Sequence, residues 1–431
     1  MPPKFAKLEY LLQEMPKKTV SGSAGLLAEE GRIAEASERV PLFSVDGIED
    51  SATLTALFRD YTFWASAYLL EPCDFWFKRT GQYGLGRDRL PQNIAVPLAK
   101  ISAKIGAAPF MEYAQSYALY NWKRRDPGNK SLDFENLELI RAFENSEHEA
   151  GFILVHVAMV AHSNKLVEGV LQVLEAAQEN NAQAINSGFD LVISTMKEII
   201  GVMETMWVRS SAAAYNSFRA YIMGTKSQPM FPRGVVYEGV SAEPRYYRGE
   251  SGANDTIIPT CDNLLQLTER MPKNPLTEIL MDFRKYRPLK HNEWLRFVED
   301  AAGATRVARV SLSRADSSVR YLALLDQVRE FRDRHWRFTK EYILKYSSHP
   351  VATGGSPIVT WLPNQLSTVL EAIVRISREA VPNPKDQIHD LKLRQMYEDI
   401  TANAVAQERI LKRELEDLKA KYPLDHQAVS Y

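Results

Sequence analysis

Two of the chain's eight histidines fall on faces that are otherwise apolar. In the stretch 317–346, the series Leu324, Val328, Phe331, His335, Phe338, Tyr342 steps by four and three, the repeat of a single helix face. That sets His335 in line with core residues, flanked by Arg329, Arg332, Arg334 and Arg337. A buried imidazole needs a partner, and two readings fit. It is an axial haem ligand with an arginine reaching a propionate, or a core histidine bonded to a carbonyl. His156 stands in a similar series, Phe152, His156, Met159, Ser163, Leu166, with a satisfied core residue as its alternative. Arg219, within AAAYNSFRAYIMG, either clamps a substrate carboxylate in bidentate fashion or pairs with one of the chain's own 54 acids. The other histidines (His148, His162, His291, His349, His389, His426) sit among polar or loop residues and are expected to face solvent.

Most common catalytic signatures are missing: GxGxxG after a strand, GxxxxGK[ST], HExxH and GxSxG. The Gly-bearing segments RGESGANDTIIPT (248–260) and VATGGSP (351–357) are better read as loops, the second as a cover over a substrate or a turn.

The elements that must position these residues are helical. Apolar spacings predict helices over 5–15, 51–77, 146–179, 181–208, 211–224, two between 274 and 302, then 317–346, 363–380 and 388–422. No long alternating strand pattern occurs, so the fold class is all-α. The turn-rich RDPGNKSLD suggests a boundary between a smaller, mainly helical N-terminal domain with an N-terminal arm (1–135) and a large helical domain (136–431). The charge-laced C-terminal helix is expected to be solvated.

In 431 residues, 53 Lys+Arg against 54 Asp+Glu leave a net charge of −1, which offers no field to hold nucleic acid. Two cysteines, Cys73 and Cys261, suit a reducing compartment. No run reaches the roughly 18 uncharged apolar residues of a membrane span, and the N-terminus lacks the hydrophobic centre of a signal peptide. A cytoplasmic monomer without membrane or nucleic-acid partners is the expectation.

The chain resembles the indoleamine 2,3-dioxygenase family through LPQNIAVP, EYAQSYALYNWKRRDP, ENLELIRAF, GFILVH, SFRAYIMG, GVVYEGV, RGESGAND, FRDRHWRFTKEYI and ATGGSP, in order over about residues 90–360. HPVATGGSPIVTWLPNQL is more similar to fungal and bacterial members than to vertebrate ones. The resemblance implies a large haem-binding catalytic domain, haem b as cofactor, and O2 with L-tryptophan or a related indole as partners. The implied product is N-formylkynurenine, in tryptophan catabolism by the kynurenine pathway. It places the proximal iron ligand at His335, a propionate-binding arginine at Arg332, and a supporting acid at Asp262. Arg219 falls on the carboxylate-binding arginine, and Tyr113, Phe152 and Tyr215 on the indole wall. Gly252 and Ala253 fall on a backbone rim, and Thr353, Gly354 and Gly355 on a mobile closing loop.

Two positions depart from the vertebrate pattern. His156 replaces a small distal hydroxyl residue, as in the related tryptophan 2,3-dioxygenases, and is expected to touch the indole N–H or bound O2. Ala214 replaces an aromatic lining residue, so a wider pocket is expected there. Oxidation of another indole in secondary metabolism, or gas binding with little turnover, are the alternatives.

Overall fold

The computed structural model describes residues 2–267, 275–349 and 351–421. It is 66% helical with 4% strand, an all-α fold. The N-terminal part holds α1 (Ala6–Glu14), α2 (Arg32–Glu38), α3 (Ser51–Thr80) and α4 (Gln92–Ile105). The start of α3 is fixed by Asp50, whose carboxylate accepts from the Thr53 N–H at 2.8 Å, and its end by Gly81 in the left-handed region. Its aromatic residues Phe58, Tyr61, Phe63 and Trp64 are buried, because this helix runs through the middle of the N-terminal part.

Strands are minimal. β1 (Arg89–Leu90) lies parallel to β4 (Val236–Tyr237), and β2 (Trp122–Arg124) pairs antiparallel with β3 (Leu137–Leu139), Lys123 opposite Glu138. The polar segment read as a linker is the connection between β2 and β3.

The remainder comprises α5 (Glu147–Val160), α6 (Ser163–Gln178), α7 (Ala182–Glu204), α8 (Met206–Arg209), α9 (Ala212–Phe218), α10 (Ile257–Leu264), α11 (Pro275–Phe283), α12 (Leu289–Thr305) and α13 (Val307–Leu312). The series ends with α14 (Ala315–Thr339), α15 (Ile358–Ala380), α16 (Pro384–Gln387) and α17 (Leu391–Lys421). The continuous helix expected over 146–179 is two, separated by a turn at Ala161 and His162. Residues 147–178 are long and apolar enough by composition to cross a membrane. Here both halves pack against α7. The helix carrying His335 ends at Thr339 and runs on as a π-turn, Lys340–Leu344.

One expectation is corrected at the C-terminus. Rather than being solvated all round, α17 buries Tyr397, Ile400, Ala404 and Leu411 in its packing on α14 and α15. Its apolar residues recur sparsely enough that the charges between them dominate the sequence pattern.

The N-terminal arm packs on the body through Phe5, Leu8, Leu11, Leu12 and Met15. It is pinned by Arg141, which bonds Glu9 of the arm and Asp60 of α3. A single apolar cluster extends from Phe5 to Leu411, across the proposed boundary at 135/136.

Candidate active site

α5 and α14 each set one of the two histidines in the wall of a largely apolar cavity. The N-terminus of α5 is capped twice. Ser146 Oγ accepts from the Glu149 N–H, and the Glu149 carboxylate accepts from the N–H groups of Phe143 (2.8 Å), Glu144 (2.8 Å) and Asn145 (2.9 Å). Gly151 then lets α5 lie against α8, since a Cβ there would stand 1.9 Å from the Arg209 carbonyl oxygen. With the helix so held, Phe152 and His156 face inward. Phe152 packs on Tyr215 with ring centres 4.9 Å apart, and Tyr215 meets Tyr342 edge-on at 5.8 Å.

His156 Nδ1 is 3.1 Å from the hydroxyl of Tyr113. Tyr113 opens a five-residue π-turn, Tyr113–Tyr117, a backbone form often found at functional sites. Glu112 caps it, accepting from the N–H groups of Ala114 and Gln115. Burial, reinforced by His335, pushes the His156 pKa down to about 4. Burial alone takes His335 to about 4 as well. Both rings are therefore neutral at pH 7 and keep an unprotonated nitrogen. Among the described residues, the ring of His335 makes no hydrogen bond that would occupy it.

Behind His335, Arg332 one turn earlier on α14 pairs with Asp262 of α10 at 2.8 Å and donates to the Gln365 carbonyl at 3.1 Å. Burial raises the Asp262 pKa while Arg332 opposes it, and Asp262 Oδ1 has no partner. The pair ties α10 to α14 beside the histidine.

Among the expected site residues, Tyr113, Phe152, His156, Tyr215, Gly252, His335 and Thr353 share the cavity wall. Ala253 lies beside Gly252 in a short 3-10 turn, its side chain outside the described residues, as is His426. Gly354 and Gly355 are outside the wall. Their loop is tied down: Arg248 Nη1 donates to the Gly354 carbonyl at 3.0 Å, and Gln228 Nε2 to that of Ala352 at 2.7 Å. Both glycines are required there, since a Cβ would meet the Phe283 ring at 2.5 Å or the Lys226 carbonyl oxygen at 2.4 Å. Ala214 is also outside the wall. One residue of helical rotation from Tyr215 carries it to a half-buried side of α9.

Arg219 is fully buried but stands one layer back, beside Tyr215 and the 351–357 loop. It makes no ion pair with any acid among the described residues. Nη2 donates to the Val351 carbonyl at 3.3 Å, while Nε and Nη1 have no partner.

Several site residues escaped the sequence reading. His349, expected to face solvent, is half-buried with Nε2 3.1 Å from Gln228 and its ring edge-on to Tyr83. Burial and Arg219 lower its pKa to about 3. His291, also expected outside, is bonded to Thr256 at 2.9 Å. The carboxyl groups of Glu250 and Asp255 line the cavity. Their signal was present in RGESGAND, a loop recognised as a motif but not read residue by residue.

The cavity is thus walled largely by apolar and aromatic side chains, with two neutral imidazoles in its lining. The family model described as indoleamine 2,3-dioxygenase matches residues 3–371, and the chain belongs to that family, whose members are dioxygenases. It is 25% identical to indoleamine 2,3-dioxygenase 1 of Mus musculus, over 79% of this chain and 81% of that protein. It is 27% identical to the indoleamine 2,3-dioxygenase qulI of Penicillium citrinum, over 79% and 78%. The 6-hydroxytryptophan 2,3-dioxygenase fscD of Fusarium equiseti is 22% identical over 86% and 94%.

Proposed function

We propose that this enzyme is a haem-dependent dioxygenase that inserts both atoms of O2 across the C2–C3 bond of L-tryptophan, yielding N-formylkynurenine for the kynurenine pathway. The observation that carries the reading is the neutral His335 imidazole, without a hydrogen-bond partner among the described residues, lining the same aromatic cavity as His156. Its donor set is a single imidazole, and no cluster of three His, Cys, Asp or Glu occurs among the described residues. A lone histidine would suit haem b, which brings its own further iron ligands, rather than a bare ion. Haem bound there supplies the iron that activates O2.

The chain's own residues do the rest. His335 would hold the iron, and the Asp262–Arg332 pair steadies the helix that carries it, Arg332 being the arginine proposed to serve a propionate. Phe152, Tyr113 and Tyr215 hold the indole ring by dispersion and edge contacts. If His156 Nδ1–H donates to the Tyr113 oxygen, its Nε2 is left to accept from the indole N–H. Arg219 takes the substrate carboxylate once the 351–357 loop gives up the Val351 contact, and return of Thr353 then excludes water. A cytoplasmic monomer completes the proposal, supported by two cysteines that are buried and unpaired.

A second reading is oxidation of a substituted indole in secondary metabolism, favoured by the fungal 6-hydroxytryptophan relative. The test is haem reconstitution followed by product analysis with L-tryptophan and hydroxytryptophans. A Soret band lost in His335→Ala, with N-formylkynurenine formed by the parent, supports the first reading. Ring opening of hydroxytryptophan alone supports the second, and a pigmented protein inert to every indole overturns both.

A further inference from the structure

Glu250 and Asp255 are the charged-type side chains of the cavity that the proposed chemistry leaves unused, and Asp255 is already engaged by the Ile257 N–H at 2.6 Å. Glu250 is 4% exposed, lines the wall, and has neither a hydrogen-bond donor nor a cation beside its carboxyl group among the described residues. Its backbone is fixed, the Glu250 N–H donating to the Ile222 carbonyl at 3.1 Å in the turn that begins with Arg219. Just upstream the two segments cross so closely that a Cβ on Gly224 would stand 2.2 Å from the Gly249 nitrogen. Tyr215 lies within electrostatic reach of both Glu250 and Arg219, and the Arg219 guanidinium stands close to the hydroxyls of Tyr215 and Tyr83 without a carboxylate partner among the described residues.

The surroundings favour a cation. Glu112 and Asp255 are also buried nearby, and burial raises Glu112 to about 7 and Asp255 to about 6 against the opposing charge of Arg287, a buried cation that faces those two acids. The groups facing Glu250 are Glu112 and the hydroxyls of Tyr113, Tyr117 and Tyr215, none of them positive. An unpaired buried carboxyl costs free energy that a bound ammonium group recovers.

We propose that Glu250 is a specificity-determining residue that binds the ammonium group of an amino-acid substrate, opposite the carboxylate held by Arg219. The pair reads the zwitterion and so selects amino acids over simple indoles. This rests on the proposed indole substrate. A consequence follows from burial, which with Glu112 nearby raises Glu250 to about 8. The free carboxyl is largely protonated at pH 7, and an arriving ammonium drives its ionisation, releasing the proton to solvent. Affinity for the amino acid therefore rises from pH 6 to pH 8.

The experiment compares L-tryptophan with indole-3-propionate, which lacks the amine, binding to holoenzyme of the parent, Glu250→Gln and Glu250→Leu. Calorimetry in two buffers of different ionisation enthalpy gives Kd and protons released. Loss of a charge-assisted contact should weaken tryptophan binding by about 10- to 100-fold in Glu250→Leu, leave indole-3-propionate unchanged, and abolish proton release in both variants. Glu250→Gln, nearly isosteric, keeps the test valid if the leucine variant misfolds. Equal effects on both ligands, or none, overturn the assignment. So does a change confined to haem retention, which would give the carboxyl to a propionate. Turnover of tryptophan by the parent is read separately, so failure of the function itself is distinguishable.

Discussion

Arg141 and Arg219 are two buried arginines in nearly the same local context, IRAF and FRAY, yet they are satisfied in opposite ways. Arg141 meets Asp60 through Nε (2.9 Å) and Nη2 (3.0 Å), and Glu9 through Nη1 (3.0 Å) and Nη2 (2.6 Å). Arg219 has one 3.3 Å contact to a carbonyl and two nitrogens without partners. The first is a clamp that holds the N-terminal arm on α3. The second is a charge kept waiting, which burial makes costly unless a ligand completes it. The difference between a structural and a binding arginine is thus a matter of partners.

The largest effect expected from breaking this contrast is in stability. Arg141→Leu should destabilise the protein by about 3–5 kcal/mol, since it strips the Asp60 and Glu9 carboxylates of their main partner. Denaturant unfolding measures it, and kcat/KM of the folded fraction should stay unchanged. Arg219→Leu should do the reverse, with kcat/KM for tryptophan falling about 100-fold, roughly 2.7 kcal/mol, and the melting temperature holding or rising. Equal stability losses in the two variants would erase the distinction.

A smaller effect concerns His349, beside Arg219. Its native pKa of about 3 lies below the ordinary value of 6.5, so as pH falls the unfolded chain takes up a proton before the native one. This contribution is complete above pH 6.5 and is lost progressively toward pH 3, at up to about 1.4 kcal/mol per pH unit. His349→Gln should flatten that part of the stability curve, and Arg219→Leu should raise the His349 pKa seen by NMR. The smallest effect is remote from both arginines. Asp50→Ala removes the cap of α3 and should cost about 1 kcal/mol without altering substrate affinity.

Much of the site was legible. The step of four and three through Leu324, Val328, Phe331 and His335 places that histidine inward, because helical periodicity is local. What failed did so for nonlocal reasons. The turn at Ala161 and His162 interrupts residues that tolerate helix, and is seen only once α6 packs on α7. His349 lies in a polar loop, and its burial follows from docking of the 351–357 segment on Gln228. Ala214 and Tyr215 are neighbours in sequence, but only Tyr215 reaches the cavity. Glu250 looked like one acid among many, since an empty carboxyl is defined by what does not surround it.

The sequence by itself determined the helical class, the inward histidines and the family, for these depend on residue order and repeats read along the chain. Tertiary structure alone decided which buried charges are paired. Arg141 finds its acids 81 and 132 residues away, and Arg219 finds none among the described residues. Coulomb attraction and desolvation act through space, so only the folded chain reveals which buried charge is left without a counter-ion.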